Sequence, residues 1–490
     1  MHQAIIYRRA IYPLVNIIFC YLALSLLVSE IAFASNVKLK TIAESDTLFG
    51  SPSTRNTGLV FDDNKILYFT RVNNTPGLYE FDTSQKIEKL VRPLNLDRGS
   101  WALNDDRPQA KGNGIALMSV FGRLYATDGT RSGTSLLKNF GTSIDIISSL
   151  GILHSVIRDI KFIDSNFYIV TSEFGTTTVQ GKQISQVWIS DGTVSGTRLV
   201  SDNHNFINGL FSTNAFGKQT IHFIARNENQ ETELWRLDTN DRPSLVANFG
   251  INTRIDVANN TATNSKGTYL CSETFSTSSS SQTSLTTLWR ISNNGTVTTI
   301  ESDCTPGTLA TNHDFLFYSN RQGIWRTSGI NGQKELLVSE VNTRSYGTNF
   351  CQNDDELTYL INNKLFSLKL AKLGTTNILS AGLQRSIYSC LGNKLVFRQN
   401  LSDTLFDKKI NEETKITSQV QSGERLETFF DRDVVTLVGQ YLRLKDDVYA
   451  FGNFEYADKN GRNRIRRLRL LKLQNSNTHF LAPLMLILEE

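Results

Sequence analysis

Proline is scarce in this chain, with eight in 490 residues, and no Pro-rich linker is visible. Charge of one sign is also lacking: 51 Lys and Arg face 47 Asp and Glu, a formal net charge of +4. Nucleic-acid binders concentrate basic residues into a footprint. Here they are mostly dispersed, so no nucleic-acid partner is expected. Long amphipathic windows of helical period are nearly absent beyond the N-terminus. No HExxH, GxSxG, Walker-type loop or GxGxxG in a Rossmann context appears, so no cofactor is expected. What is present suits a soluble globular protein with an ample core: 39% hydrophobic, 20% charged and 10% aromatic residues. Those values exclude a collagen, a disordered acidic tail and a multi-span membrane protein.

Residues 1–34 differ in kind from the rest. Arg8 and Arg9 form a positive region, Ile11 to Leu27 is almost wholly apolar, and Ala32-Phe33-Ala34 is a small-x-small cleavage site. This is the pattern of a secretory signal peptide. The competing reading is an uncleaved anchor, since the apolar run approaches the length of a span. Cys20 follows Phe19, where lipid attachment would want a small residue. The mature part, residues 35–490, is then expected in a secreted or periplasmic setting, with envelope association as one outcome. Its four cysteines are Cys271, Cys304, Cys351 and Cys390. An oxidising compartment makes two disulfides the expectation, with three connectivities open. No pair has CxxC spacing and few histidines stand nearby, so no metal site is expected.

One short strand type recurs through the mature chain. An aliphatic-aromatic pair begins each copy: Leu78-Tyr79, Leu124-Tyr125, Val187-Trp188, Leu234-Trp235, Leu288-Trp289, Ile324-Trp325, Leu365-Phe366 and Leu405-Phe406. The intervals run from 36 to 63 residues and average about 47, the range of four-stranded propeller blades. Four of the five tryptophans share this register. An apolar strand precedes the copies, as in Ile66 to Phe69, Phe167 to Val170, Ile221 to Ile224 and Phe315 to Tyr318. Another follows, as in Lys86 to Val91 and Lys334 to Val338. Each unit is a small antiparallel meander that cannot bury both faces alone, and radial stacking solves this. The expected fold is therefore all-β: a single β-propeller of four-stranded antiparallel blades. We expect eight blades within a range of seven to nine, because a ninth unit at Val448 to Phe451 and Arg467 to Leu473 is irregular. Val37 to Ile42 is a candidate for the strand that closes the ring.

Two copies carry a sharper signature: Leu124-Tyr125-Ala126-Thr127-Asp128-Gly129-Thr130-Arg131-Ser132-Gly133-Thr134, and Val187-Trp188-Ile189-Ser190-Asp191-Gly192-Thr193-Val194-Ser195-Gly196-Thr197. They resemble the secreted bacterial repeat proteins often called ELK-type or hyalin-like. The resemblance implies a propeller-like fold and an exported location, but no activity. It covers two units as a motif and most of the chain only as a rhythm. Ser328 replaces the aspartate in a degenerate copy at Ile324 to Gly332. Asp128, Gly129, Asp191 and Gly192 read as structural turns: Asp bonds the backbone two residues on, and Gly supplies positive φ.

Three features offer function. Acidic pairs at Asp62-Asp63, Asp354-Asp355 and Asp446-Asp447, with Asp164 and Asp314, suit tight turns first and glycosidase acid-base work second. In a four-stranded blade, the first and third turns share one face, so these acids and the Asp-Gly-Thr turns predict one acidic face. The opposite face carries long loops at Ser172 to Ser185, Ser272 to Thr287 and Asn453 to Arg464. The last leads into Arg462, Arg464, Arg466, Arg467 and Arg469, readable as an anionic-ligand contact or as a charged edge strand. The favoured reading is a monomeric, non-enzymatic propeller that binds a protein or glycan partner through its loop face. The alternative is a carbohydrate-active propeller enzyme, sialidase- or glycosidase-like, using channel carboxylates. No catalytic residue is assigned.

Overall fold

The computed structural model describes residues 37–475 apart from 47–57, 95–107, 141–153, 175–182, 214–218, 277–283, 340–349, 371–375, 419–423, 427–439, 458–463 and breaks of one to four residues. The signal-peptide reading of residues 1–34 falls outside the described residues, as do Arg462, Asp354, Asp355 and Asp446. Among the described residues every element is a strand and none is a helix.

The strands group into nine antiparallel four-stranded modules, the top of the expected range rather than its centre. Blades 1 to 8 span residues 58–93, 109–139, 154–204, 206–251, 253–301, 309–339, 351–381 and 386–418. Blade 9 takes its inner edge from two short strands, Glu424–Leu426 and Gln440–Leu444, followed by Asp447–Ala457 and Arg464–Asn475. Its fourth strand is Val37–Asp46, which lies antiparallel against Arg464–Asn475 from Val37↔Asn475 to Asp46↔Arg467. The same N-terminal strand also pairs parallel with Glu412–Ser418 of blade 8 and touches Lys65–Val72 of blade 1. The expected closing strand is thus in place, and it explains the ninth unit's irregularity. A blade whose outer strand comes from the far end of the chain shows only three strands locally.

Second strands are buried almost end to end, as in Ile115–Val120, Thr220–Arg226 and Leu316–Asn320. Such a strand is paired on both sides and covered on both faces, so its sequence is a continuous apolar run rather than an alternation. Outer strands such as Lys334–Ser339 are mostly exposed. Apolar clusters sit between blades, not within them. Leu117, Leu124 and Ala126 of blade 2 pack with Ile157, Phe167 and Ile169 of blade 3. Ile66, Tyr68 and Phe81 of blade 1 pack in the same way with Tyr449, Phe451 and Leu470 of blade 9. The ring is therefore closed by core packing as well as by strand pairing.

The aliphatic-aromatic pairs mark a repeated irregularity. In blades 1 to 7 the ladder between third and outer strands shifts register at that pair, for example Leu124/Tyr125, Val187/Trp188 and Ile324/Trp325. A bulge there adds twist, and it accompanies an aromatic side chain placed over the preceding blade. Trp188 lies edge-on to Phe140 of blade 2 at 5.2 Å, and Trp289 to Phe249 of blade 4 at 5.1 Å. Each indole N–H has an acceptor: Gln186 for Trp188, Glu233 for Trp235, Ser272 for Trp289 and Asn320 for Trp325.

The cysteines pair as Cys271–Cys304 and Cys351–Cys390, with Cα separations of 6.2 and 5.9 Å. The first joins the second strand of blade 5 to the connection into blade 6, and the second joins the inner strands of blades 7 and 8. Both bonds therefore work across blade boundaries.

Candidate functional site

The Asp-Gly-Thr turns form a closed hydrogen-bond circuit. Asp191 Oδ1 accepts from the Thr193 backbone N–H at 2.8 Å and from the Thr193 hydroxyl at 2.7 Å. Thr193 Oγ1 accepts from the Gly196 N–H at 2.9 Å, and the Thr197 hydroxyl donates to the Thr193 carbonyl at 2.6 Å. Asp128, Thr130, Gly133 and Thr134 repeat this arrangement. These bonds hold both aspartates below the usual carboxylate range, the threonine hydroxyl contributing most. Gly129 and Gly192 have φ of 83° and 93°, and a Cβ on them would meet Phe61 of blade 1 and Ile115 of blade 2. The degenerate copy keeps Gly329 at φ 71° with its N–H on Thr327, although its sequence has Ser328 for the aspartate and Ile330 for the threonine.

The second glycine of the motif answers to the aspartate. A Cβ on Gly196 would fall 2.1 Å from Asp191 Oδ1. Gly196→Ala should therefore cost about 2 kcal/mol of stability, and Asp191→Ala about 1–2 kcal/mol through lost hydrogen bonds. The double variant should cost clearly less than the sum, because removing the carboxylate makes room for the methyl group. Denaturant melts of the three variants give the coupling, and strict additivity would refute it.

Among the described residues, the acids of the turn face do not stand alone. Cations interleave with the aspartates: Arg198 pairs with Asp241, and the Lys445 ammonium of blade 9 reaches Asn64 of blade 1 at 3.0 Å. Counting only the acids at the turns missed these partners. Asp62 caps its own turn by accepting from the Asn64 N–H at 2.8 Å. Asp447 pairs with Lys472 at 2.7 Å.

The arginine run also sits elsewhere than expected. Arg464, Arg466, Arg467 and Arg469 lie on the third strand of blade 9, flanked by Asp447–Ala457 and, from Arg467 on, by Val37–Asp46. It is an interior strand, not an edge. Register places Arg467 opposite Asp46 and Arg469 opposite Glu44. The tips of the three long loops lie outside the described residues, although their hairpin stems are paired.

A cavity of about 570 Å³ lies instead on the inner strands of blades 3, 4 and 5. First strands meet first strands of neighbouring blades, which puts them at the hub. Asn208 donates to the Ile255 carbonyl, the Thr311 hydroxyl to the Thr263 carbonyl at 2.8 Å, and the Thr311 N–H to Gln352 at 3.2 Å. The cavity opens where this wall is irregular. The inner strand of blade 3 shifts register at Ile157/Asp159, that of blade 4 at Ile207/Gly209, and that of blade 5 is split into Thr253–Arg254 and Thr261–Asn264. Bulges of this kind redirect side chains and often flank functional sites.

Asp159 is the cavity's acid, with Arg158 and Lys161 as its cations and Asn208, Ser212, Thr261 and Thr263 as neutral polar groups. Burial pushes the Asp159 carboxyl up, against Lys161 and the Leu210 N–H. Lys161 is 3.9 Å away and the Leu210 N–H 3.5 Å, both at the far limit of useful contact. Phe162, Phe206 and Phe211 supply aromatic wall. None of the acidic pairs singled out in the sequence lines it.

No family model matches the chain, and no curated protein matches it. Among solved structures it is similar to TolB from Acinetobacter baumannii, at 10% identity and TM-score 0.27, over 54% of this chain and 79% of that one. Dipeptidyl peptidase 4 from Porphyromonas gingivalis gives 8% identity and TM-score 0.38, over 80% and 56% of the two chains. A nidogen/laminin complex gives 11% identity and TM-score 0.26, over 61% and 91%. Scores this low carry no weight for function, and the β-propeller assignment stands on the strand topology.

Proposed function

We propose that this protein is a non-enzymatic binding propeller of the secreted or periplasmic space that holds a protein or glycan partner at the hub cavity of blades 3 to 5. One observation carries the reading: Asp159 is the single carboxylate among the lining residues. Glycoside hydrolysis in its usual form needs two carboxyl groups about 5 to 9.5 Å apart. One carboxylate among cations, an amide, hydroxyls and aromatic rings is instead a recognition surface on a rigid scaffold. The paired cysteines and the signal pattern of residues 1–34 support the exported location.

The test fills the cavity. Ser212→Trp and Thr261→Trp each place an indole at the wall, on different blades. Wild-type protein immobilised against an envelope extract and a glycan library should retain a partner that both variants lose, with unchanged melting temperature. Retention by both variants would remove the cavity from the reading. Hydrolysis of an aryl glycoside that Asp159→Asn abolishes would overturn the non-enzymatic assignment.

A further inference from the structure

The two disulfides differ in what surrounds them. Cys271 and Cys304 are both buried, at 0% and 2% exposure, inside the apolar cluster that joins blades 5 and 6. Hydrogen bonds back that boundary as well: the Ser265 hydroxyl donates to the His313 carbonyl at 2.7 Å, and the Thr311 hydroxyl to the Thr263 carbonyl at 2.8 Å. Cys351 is buried too, at 2%, but its partner Cys390 is exposed. Cys390 sits on the inner strand Ser386–Leu391, which pairs with its own blade along one side only. The ladder on that side shifts register at Ile387/Ser389, immediately before Cys390. A bulge of this kind re-aims the side chains beside it.

In thiol–disulfide exchange a thiolate approaches one sulfur from the side opposite the sulfur it displaces, and access decides which sulfur is attacked. The open end of the Cys351–Cys390 bond is Cys390, so the displaced group is Cys351. At Cys271–Cys304 both ends are closed. We propose that Cys351–Cys390 is a redox modification site, opened by a dithiol reductant that attacks Cys390 Sγ. The first thiolate of the reductant forms a mixed disulfide with Cys390, and Cys351 leaves as a thiolate and takes up a proton. The second thiolate then attacks the reductant's own sulfur in the mixed disulfide, closes the reductant's disulfide and releases Cys390, which is protonated in turn. Two electrons and two protons pass from the dithiol to the protein. This chemistry is independent of what the hub cavity holds.

Opening has a local consequence. The inner strand of blade 7 stays tied to blade 6 through Gln352, which accepts from the Thr311 N–H at 3.2 Å and donates to the Thr311 carbonyl. Leu357 and Tyr359 also pack with Ala310 and Phe317 of blade 6. The inner strand of blade 8 loses its covalent hold on blade 7, so the freedom gained falls on Ser386–Leu391.

The folded mature protein, treated with dithiothreitol, alkylated at intervals and mapped by mass spectrometry, tests the assignment. Cys351 and Cys390 should be alkylated at least about tenfold faster than Cys271 and Cys304, because enclosed sulfurs are inert. Comparable rates at the two bonds would overturn it. Brief exposure to glutathione, a monothiol, with an acid quench should leave the adduct on Cys390, and an adduct on Cys351 would refute the direction of attack. Hydrogen exchange reads the consequence. In the reduced protein the amides of Ser386–Leu391 should exchange at least about tenfold faster, with Thr220–Arg226 of blade 4 unchanged and protection regained on reoxidation. Unchanged exchange at Ser386–Leu391 would remove the conformational part. Cys351→Ser with Cys390→Ser should show the reduced pattern with no reductant present, and the reduced wild type supplies the same readout without relying on the folding of that variant.

Discussion

Acidification from pH 7 to pH 4 should remove about 5–6 kcal/mol of folding stability through two histidines of the fourth-blade region, His204 and His222. Both are held near a pKa of about 4, chiefly by burial. His204 bonds Ser201 at 2.8 Å and lies edge-on to Phe223 and Trp235 at 5.2 and 5.1 Å. His222 stacks on Phe211 at 5.5 Å, and its Nε2 has no hydrogen-bond partner. A neutral imidazole fits these places and an imidazolium does not. The unfolded chain takes its proton near pH 6.5, while the folded chain resists until about pH 4. The contribution is thus intact above pH 6.5, falls between 6.5 and 4, and is exhausted below 4. Near pH 5 unfolding should take up about 1.8 protons, a slope of about 2.4 kcal/mol per pH unit.

Other groups act in other windows or with the other sign. Asp128 and Asp191 are lowered, so their contribution is lost only below about pH 4. Asp159 and Glu88 are raised by burial, so acid favours their folded forms. Comparison with His204→Gln plus His222→Gln isolates the histidines, because the carboxylates are common to both proteins. Denaturant melts at half-unit steps should show the slope between pH 6 and 4.5 flattening in the double variant. An unchanged slope would mean that neither imidazole is held neutral.

The parts of this fold that were legible in the sequence are those where burial is two-sided and local. Ile66 to Phe69 and Ile221 to Ile224 stand out because their neighbours in the ladder lie within a few dozen residues. Val187-Trp188 and Leu234-Trp235 stand out because an aromatic must reach the preceding blade. Inner strands are weaker signals. Gln109–Gly112 is short and mostly polar, because it meets its neighbours through Gln109 on the Gly58 carbonyl of blade 1 and through the small Gly112 beside Phe162 of blade 3. The cavity was therefore missed, although Ile157-Arg158-Asp159-Ile160 and Ile207-Asn208-Gly209-Leu210 share a pattern at matching bulges. Aligning first strands, instead of third strands, would have found it. The arginine run was misplaced for a different reason. Nothing local to Arg464–Asn475 reveals that a strand from the other end of the chain covers it.

That covering strand leads to the largest expected effect. Deleting Val37–Asp46 removes nine register pairs with Arg464–Asn475, from Val37↔Asn475 to Asp46↔Arg467. At about 0.5–1.5 kcal/mol for each net hydrogen bond, the loss is roughly 5–10 kcal/mol. Ile42 and Ala43 also leave the cluster between blades 1 and 9. A closed ring cannot fray from an end, whereas an open one can, as in other repeat arrays where stability is a sum of neighbour interfaces. The deleted protein should melt earlier and in two transitions, with blade 9 and its neighbours first. The strand Arg464–Asn475, once interior, becomes a free edge bearing Leu468, Leu470, Leu471 and Leu473. Free apolar edges recruit other chains, and the arginines on this one moderate that tendency only at low ionic strength. Dimers or larger species should therefore grow with added salt. A synthetic peptide of residues 35–46 should restore the single transition by refilling the edge. Hydrogen exchange offers the local check: amides of Arg464–Asn475 should be protected in the intact chain, exchange rapidly after deletion, and recover with the peptide. A deleted protein that stays monomeric and melts once at the original temperature would show that core packing alone holds the ring, with the terminal strand merely resting on it.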